Sequence, residues 1–238
     1  MSQIAQIHNL SLVRTAAERL VGRQASLPGI AVLYGPAGYG KTTAALSIAN
    51  ETRAYFVQMR SAWGRKALLE KIIVEMGAKP FGTIPQLLDQ VCEQLAASGR
   101  MLMIDEFDYC VRNDGMIELI RDIYEGSQST LLLLSEEMLP QKLKRYERFH
   151  SRVLSWIPAQ PITPGDAALL APIYAPDIDI SADLIAHLVT LSSGSVRRVA
   201  VNLAAIYEAA SVEGWAVVDR ATWGDRPIYT GEAPRRAA

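Results

Sequence analysis

The chain has 238 residues, half of them hydrophobic and 21% charged, with a formal net charge of -1. That balance excludes both the global basic signature of a nucleic-acid binder and the acidic one of a disordered chain, so any DNA or RNA contact must come from local patches. No apolar run nears the ~20 residues that a bilayer span needs, no basic region followed by an apolar run opens the chain, and Cys92 and Cys110 lack metal-type spacing; the expectation is a cytoplasmic protein with reduced, buried thiols.

Asn9 and Ser11 are candidate caps for a helix through about Arg23, with Leu10, Val13, Ala17 and Leu20 on one face. Apolar Ile30 to Leu33 predicts a buried strand, and Thr42 to Ala49 a helix. Ala54 to Met59 is β-branched and aromatic enough for a second strand. A short basic connection follows, with Arg60, Trp63, Arg65 and Lys66. Helices are expected over Ala67 to Met76, stopped by Gly77, and over Ile84 to Ala97, stopped by Gly99. The wholly apolar run Met101 to Ile104 suits a central parallel strand, buried on both faces, and ends in Asp105 and Glu106. Met116 to Tyr124 reads as helix, Thr130 to Leu134 as a buried strand and Arg152 to Ile157 as a last strand. Strands alternating with helices imply right-handed crossovers and an α/β fold.

Composition changes after Pro158. Pro161, Pro164, Pro172 and Pro176 fall close together, and only helical patterns recur beyond them: Gly165 to Leu170, Ala182 to Leu191 and Val196 to Ala210. The expected organisation is an α/β domain over residues 1–160, a helical domain over 161–225 and a loose tail over 226–238, where Pro227, Gly231, Pro234, Arg235 and Arg236 gather.

The chemistry concentrates in the segment that joins the first strand to its helix. Gly35, four residues, then Gly40-Lys41-Thr42 fits the phosphate-loop pattern in the strand-loop-helix context that the pattern needs. Glycines let backbone N–H groups turn toward phosphates, and a helix N-terminus adds partial positive charge. Gly35, Pro36, Ala37, Gly38, Tyr39, Gly40, Lys41, Thr42 and Thr43 form the candidate nucleotide loop; Lys41 would reach the β- and γ-phosphates of ATP, and Thr42 would hold Mg²⁺. Asp105, at the carboxyl end of its strand, is the second candidate for the metal. Glu106 is the candidate general base that polarises water for attack on the γ-phosphate. Asp108 reads as a solvated or capping acid rather than a third metal ligand.

GPAGYGKT, LMIDEFD and SGSVRR resemble the phosphate loop, acid strand and second sensor of the AAA+ ATPase superfamily. The resemblance implies a five-stranded parallel sheet followed by a helical lid, with nucleotide bound between them and, commonly, between neighbouring subunits. It gives Ser135 the first-sensor position, where asparagine or threonine is more usual, and Arg197 the second-sensor position. Glu147 to Arg152 resembles the segment that carries the arginine finger; Arg152 is the favoured residue and Arg148 the second choice.

The short N-terminal helix before the phosphate loop, together with LLLLSEEMLPQKLKRYERFHSRV, resembles the transposition-accessory ATPases, such as the phage Mu B protein and transposon target selectors. That family polymerises on double-stranded DNA with ATP, as a helix or ring of identical subunits, and recruits a DDE-type transposase. The chain departs from it in leaving little room before residue 9 for a helix-turn-helix domain. Arg60, Trp63, Arg65 and Lys66 lie where the family's DNA contacts follow the second strand; cations there would touch phosphates with little sequence preference, and Trp63 has an alternative role as anchor of the following helix. The second basic run, Lys142, Lys144, Arg145 and Arg148, is assigned to a subunit interface. Rival readings are a replication-initiator or helicase-loader ATPase with the same core, and a secretion-apparatus ATPase acting on protein partners.

Overall fold

The computed structural model describes residues 4–232. The chain forms two compact units. Of the described residues, one comprises Leu12–Pro36 and Lys41–Ala159, and the other comprises those up to Ser11, Ala37–Gly40, and those from Gln160 onward.

The larger unit is a five-stranded sheet with strands β1 (Ile30–Tyr34), β2 (Tyr55–Gln58), β3 (Leu102–Asp105), β4 (Leu131–Ser135) and β5 (Val153–Pro158), in the spatial order β2-β3-β4-β1-β5. Every pairing is parallel. Parallel neighbours need a crossover, and helices α2 (Lys41–Thr52), α3 (Arg65–Glu75), α4 (Ile84–Ser98) and α5 (Asp114–Ser127) supply them. Residues of β3 and β4 are buried throughout, which is why their sequences are continuous apolar runs rather than alternating ones. Around them pack Leu68, Leu69, Ile72 and Ile73 of α3, Leu87, Val91 and Leu95 of α4, and Met116, Ile117, Ile120 and Ile123 of α5. Register sets the future site. Gln58 lies beside Asp105, and Ser135 beside Tyr34, so the polar residues that end these apolar strands line up along one carboxyl edge of the sheet.

After β4 come two short helices, α6 (Leu139–Leu143) and α7 (Glu147–His150). Phe149 of α7 stacks on Phe107 at 6.0 Å between ring centroids. Such a pair of buried rings anchors this segment on the core. Arg65 and Lys66, expected in a loop, open α3 instead. Their charges continue the basic connection onto the first helical turn.

The smaller unit is mainly helical: α8 (Pro164–Tyr174), α9 (Ala182–Leu191), α10 (Val196–Glu213) and α11 (Arg220–Trp223). Sequence periodicity places α9 at its observed bounds and stops α10 about one turn early. The expectation of helices alone is corrected by a short parallel pair, Asp179–Ile180 with Val217–Val218, too brief for any alternation to register in sequence.

Two further expectations change. Asn9 and Ser11 are not caps: helix α1 runs over His8–Val21, and both lie inside it. Its first N–H, that of His8, is met instead by the Asp166 carboxylate at 2.8 Å, a partner 158 residues away that no local pattern could reveal. The segment from residue 226 to 232 is not loose. Tyr229 exchanges two backbone hydrogen bonds with the buried Asn202 side chain, and Arg226 lies over the Trp215 ring and pairs with Glu213. Pro234, Arg235 and Arg236 lie outside the described residues.

Candidate active site

The loop from Gly35 to Gly40 leaves β1 and enters α2 with three glycines at positive φ. Two of them have a close neighbour. A Cβ on Gly35 would meet that of Ala159 at 2.9 Å, and one on Gly38 would meet Ser195 Oγ at 2.6 Å, at φ of +154° and +84° respectively. Neither position accepts a side chain without strain. Lys41 opens α2, and its Nζ donates to the carbonyls of Gly35 (2.6 Å) and Pro36 (2.8 Å), which closes the loop on the ammonium. Burial lowers the Lys41 pKa, against the pull of Asp105, Glu106, Glu136 and Asp108.

Thr42 Oγ1 donates to Asp105 Oδ2 at 2.7 Å. Asp105 is the last residue of β3 and only 3% exposed, so the hydroxyl and carboxylate proposed to share a metal are held side by side by α2 and an interior strand. Both are hard oxygen donors, which suits a divalent cation whose other ligands are waters and phosphate oxygens. Among the described residues no group of three or more His, Cys, Asp or Glu offers an all-protein metal site. The second Asp105 oxygen accepts the Glu106 N–H at 2.8 Å. That bond turns the chain sharply: Glu106 sits at φ 54°, ψ 39°, and a 3-10 helix (Phe107–Arg112) follows. This is the left-handed region, which costs a non-glycine residue about 1 kcal/mol or more. Burial, then the charges of Asp105, Glu136 and Asp108, push the Glu106 pKa above the ordinary 4.5.

Asp108 corrects the sequence reading. It is not solvated but 8% exposed, and its carboxylate collects the Ser135 hydroxyl in a short hydrogen bond, the Glu136 N–H at 2.7 Å and Lys142 Nζ at 2.9 Å. Burial alone would raise its pKa; those three donors outweigh it and hold the carboxyl below its ordinary 3.8. Ser135 is thus fixed at the end of β4 by an acid three residues beyond Asp105. Beside this cluster opens a cavity of about 400 Å³, with Glu106, Asp108, Glu136, Arg112, Lys142 and Arg145 among its lining residues.

Other predicted residues are placed as follows. Ala37 and Thr43 are exposed. Gly38 O accepts the Arg197 N–H at 3.1 Å and Ser195 Oγ at 3.5 Å, while the exposed Arg197 guanidinium has no partner among the described residues. The Tyr39 hydroxyl donates to Ser193 O at 3.4 Å. Arg152 is half exposed and pairs with Glu125 of its own chain at 3.2 Å; exposed Arg148 has no such partner among the described residues. Lys142 and Arg145, expected to serve an interface, are engaged within the chain by Asp108 and Asp114. Arg60, Arg65 and Lys66 are exposed, Lys66 at 3.7 Å from Glu70. Trp63 packs against the core under the Arg60 guanidinium, 5.4 Å from its ring centroid. That is the placement of an anchor with a cation over its face. Sequence reasoning missed Asp108 as a site residue although the LMIDEFD spacing contained it, and missed Asn9, for which sequence offered no signal beyond a polar residue on an otherwise apolar helix face.

A parallel sheet carrying a phosphate loop, with an acid pair at the end of an interior strand and a helical unit after it, defines a P-loop ATPase of the AAA+ class. The chain belongs to the AAA domain family, which its residues 23–143 match. No curated protein matches the sequence. Among solved structures it is similar to the Orc1 protein of Aeropyrum pernix in complex with DNA (18% identity, TM-score 0.65, covering 93% of this chain and 64% of that one). It is similar also to Cdc6p from Pyrobaculum aerophilum (16%, TM-score 0.66, 92% and 66%) and to the Thermotoga maritima RuvB Holliday junction branch migration motor (18%, TM-score 0.60, 95% and 67%). At these identities the likeness is one of fold. The chain spans less than two thirds of the length of the first two.

Proposed function

We propose that the chain binds and hydrolyses ATP with Mg²⁺ and uses the cycle to hold and release duplex DNA. The observation that carries the ATPase reading is the Thr42–Asp105 contact at 2.7 Å, set between Lys41 and the raised-pKa carboxyl of Glu106. In this reading Lys41 and the loop N–H groups bind the phosphates, and Thr42 and Asp105 hold the cation, whose charge offsets that on the phosphates. Glu106 takes the proton of the attacking water; a carboxyl above its ordinary pKa is the stronger base for that task. Ser135, held by Asp108, presents its oxygen at the same edge of the sheet. The resemblance gives Arg197 of the helical unit, taken as residues 161–225, the second-sensor role, and gives Arg152 to the site of a neighbouring copy.

The DNA reading rests on the exposed Arg60, Arg65 and Lys66 around a core-anchored Trp63. It is supported by similar folds, one of them in complex with DNA and another a Holliday junction motor. Its finer form is a transposition-accessory ATPase that assembles on non-specific duplex DNA and recruits a DDE-type transposase. A second reading, a replication initiator, is favoured by the likeness to Orc1 and Cdc6p. Sedimentation with random-sequence duplex DNA tests the shared part: assembly is expected only with ATP and Mg²⁺, and none under any nucleotide condition would remove the DNA function. ATP-dependent stimulation of strand transfer by a DDE-type transposase then separates the finer readings, because an initiator gives none.

A further inference from the structure

We infer that Asn9 is a positioning residue for the phosphates: it fixes the peptide between Tyr39 and Gly40 so that the Gly40 N–H is presented to the nucleotide. The inference rests on the reading of this loop as the ATP site. Asn9, in the first turn of α1, is 3% exposed and uses its whole amide. Nδ2 donates to Tyr39 O at 2.8 Å and to Gln160 O at 2.7 Å, and Oδ1 accepts the Gln160 N–H at 2.8 Å. Two donors and an acceptor are matched to two carbonyls and an N–H, so the side chain has one orientation available.

Its anchorage is equally specified. The Asp166 carboxylate accepts the His8 N–H with one oxygen, and with the other accepts the N–H and hydroxyl of Thr163 at the start of α8. One acid therefore closes two helix starts and fixes the turn from which Asn9 projects.

The consequence for the loop follows from peptide geometry. In a trans peptide the C=O and N–H point in opposite directions, and no cis peptide occurs among the described residues. Asn9 holds the Tyr39 carbonyl, so the Gly40 N–H points away from Asn9. The preceding peptide is treated the same way: Gly38 O is held by the Arg197 N–H, which turns the Tyr39 N–H away from α10. With both carbonyls held by the protein, each N–H is turned away from the group that holds its own peptide, and two consecutive N–H groups left without a protein acceptor are the donors that an anion-binding nest uses. Neither N–H has an acceptor among the described residues, although donors this close to the interior are ordinarily paired.

The test compares the wild-type chain with Asn9→Ala and with Asn9→Leu, which keeps volume and adds no charge. Circular dichroism at low temperature establishes folding, and calorimetric titration measures binding of ATP and of inorganic tripolyphosphate, which carries no base. Loss of one such hydrogen bond predicts affinity weakened about tenfold, by a similar factor for both ligands. Folded variants that bind both ligands as the wild type does would overturn the inference. So would failure of both variants to fold, which would make Asn9 a scaffold residue. Wild-type protein that binds neither ligand would overturn the ATP-site reading, a result distinguishable from the other two because it does not involve the variants.

Discussion

Asp108 is the acid on which the sensor edge of the sheet depends, and graded removal of its oxygens gives a prediction with an internal order. Asp108→Ala leaves Ser135 Oγ, in a residue 3% exposed, and the Glu136 N–H without their acceptor. Each unsatisfied buried group costs about 1–3 kcal/mol, so the variant should lose about 3 kcal/mol of stability. Asp108→Asn can keep both of those bonds on its one oxygen, because both now fall on Oδ2, and places its amide against Lys142. Lys142 is 44% exposed and can turn to solvent, so the cost should be about 1 kcal/mol. Lys142→Ala, which removes only the outer partner, should cost less than ~1 kcal/mol. Urea unfolding of the three variants measures the order. Equal losses for Asn and Ala would show that the charge, and not the acceptor oxygen, holds Ser135, and would refute the reasoning. Because the folded Asp108 pKa is depressed, its stabilisation is full above the unfolded value near 3.8 and is lost as pH falls through the lower folded value. The acid limb of wild-type stability should therefore flatten in Asp108→Asn.

Glu106→Gln should bind ATP with wild-type affinity and hydrolyse it at least about 100-fold more slowly, the lower end of a general base's contribution; turnover within about tenfold of wild type in a phosphate-release assay would remove Glu106 from the base role. The raised Glu106 pKa means that the carboxylate form fills above the ordinary 4.5, so the acid limb of turnover should sit above that value. The same shift means that ionised Glu106 costs stability as pH rises from 4.5 through its folded pKa, and Glu106→Gln should be more stable than wild type at neutral pH by thermal melting. Arg152→Ala breaks an exposed pair with Glu125 and should change stability by less than ~1 kcal/mol while reducing turnover only under conditions of assembly; equal loss in dilute, unassembled protein would place Arg152 outside any neighbouring copy's site. Replacing Arg60, Arg65 and Lys66 together should lower the slope of log affinity for duplex DNA against log salt by up to about 3, with ATP binding unchanged; an unaltered slope would move the DNA surface elsewhere.

Much of the α/β unit was legible because its signals are local. An apolar run followed by a glycine loop and a small-residue helix identifies the phosphate loop, and the all-apolar β3 and β4 announce a buried parallel sheet whose ends carry Asp105 and Ser135. The pairings that fix individual side chains are not local. Asp108 looks solvated until α6, 34 residues away at Lys142, brings its ammonium to it. Tyr39 has no visible purpose in the sequence; in the fold its hydroxyl meets Ser193 and its carbonyl meets Asn9. Asn9 reads as a helix cap because capping depends on residues a few positions apart, whereas its actual partners are 30 and 151 residues away.

Sequence by itself thus determined the class of protein and the chemical types in its site: a phosphate loop, an acid pair and a sheet of parallel strands, each written in spacings of a few residues. Tertiary structure decided how those groups are held. It turned Glu106 into the left-handed region, gave Ser135 to Asp108, paired Arg152 with Glu125 and set Asn9 on the loop carbonyl. The physical reason is that a hydrogen bond or ion pair is specified by the meeting of two groups in space, and a pattern read along one chain contains only one of them at a time.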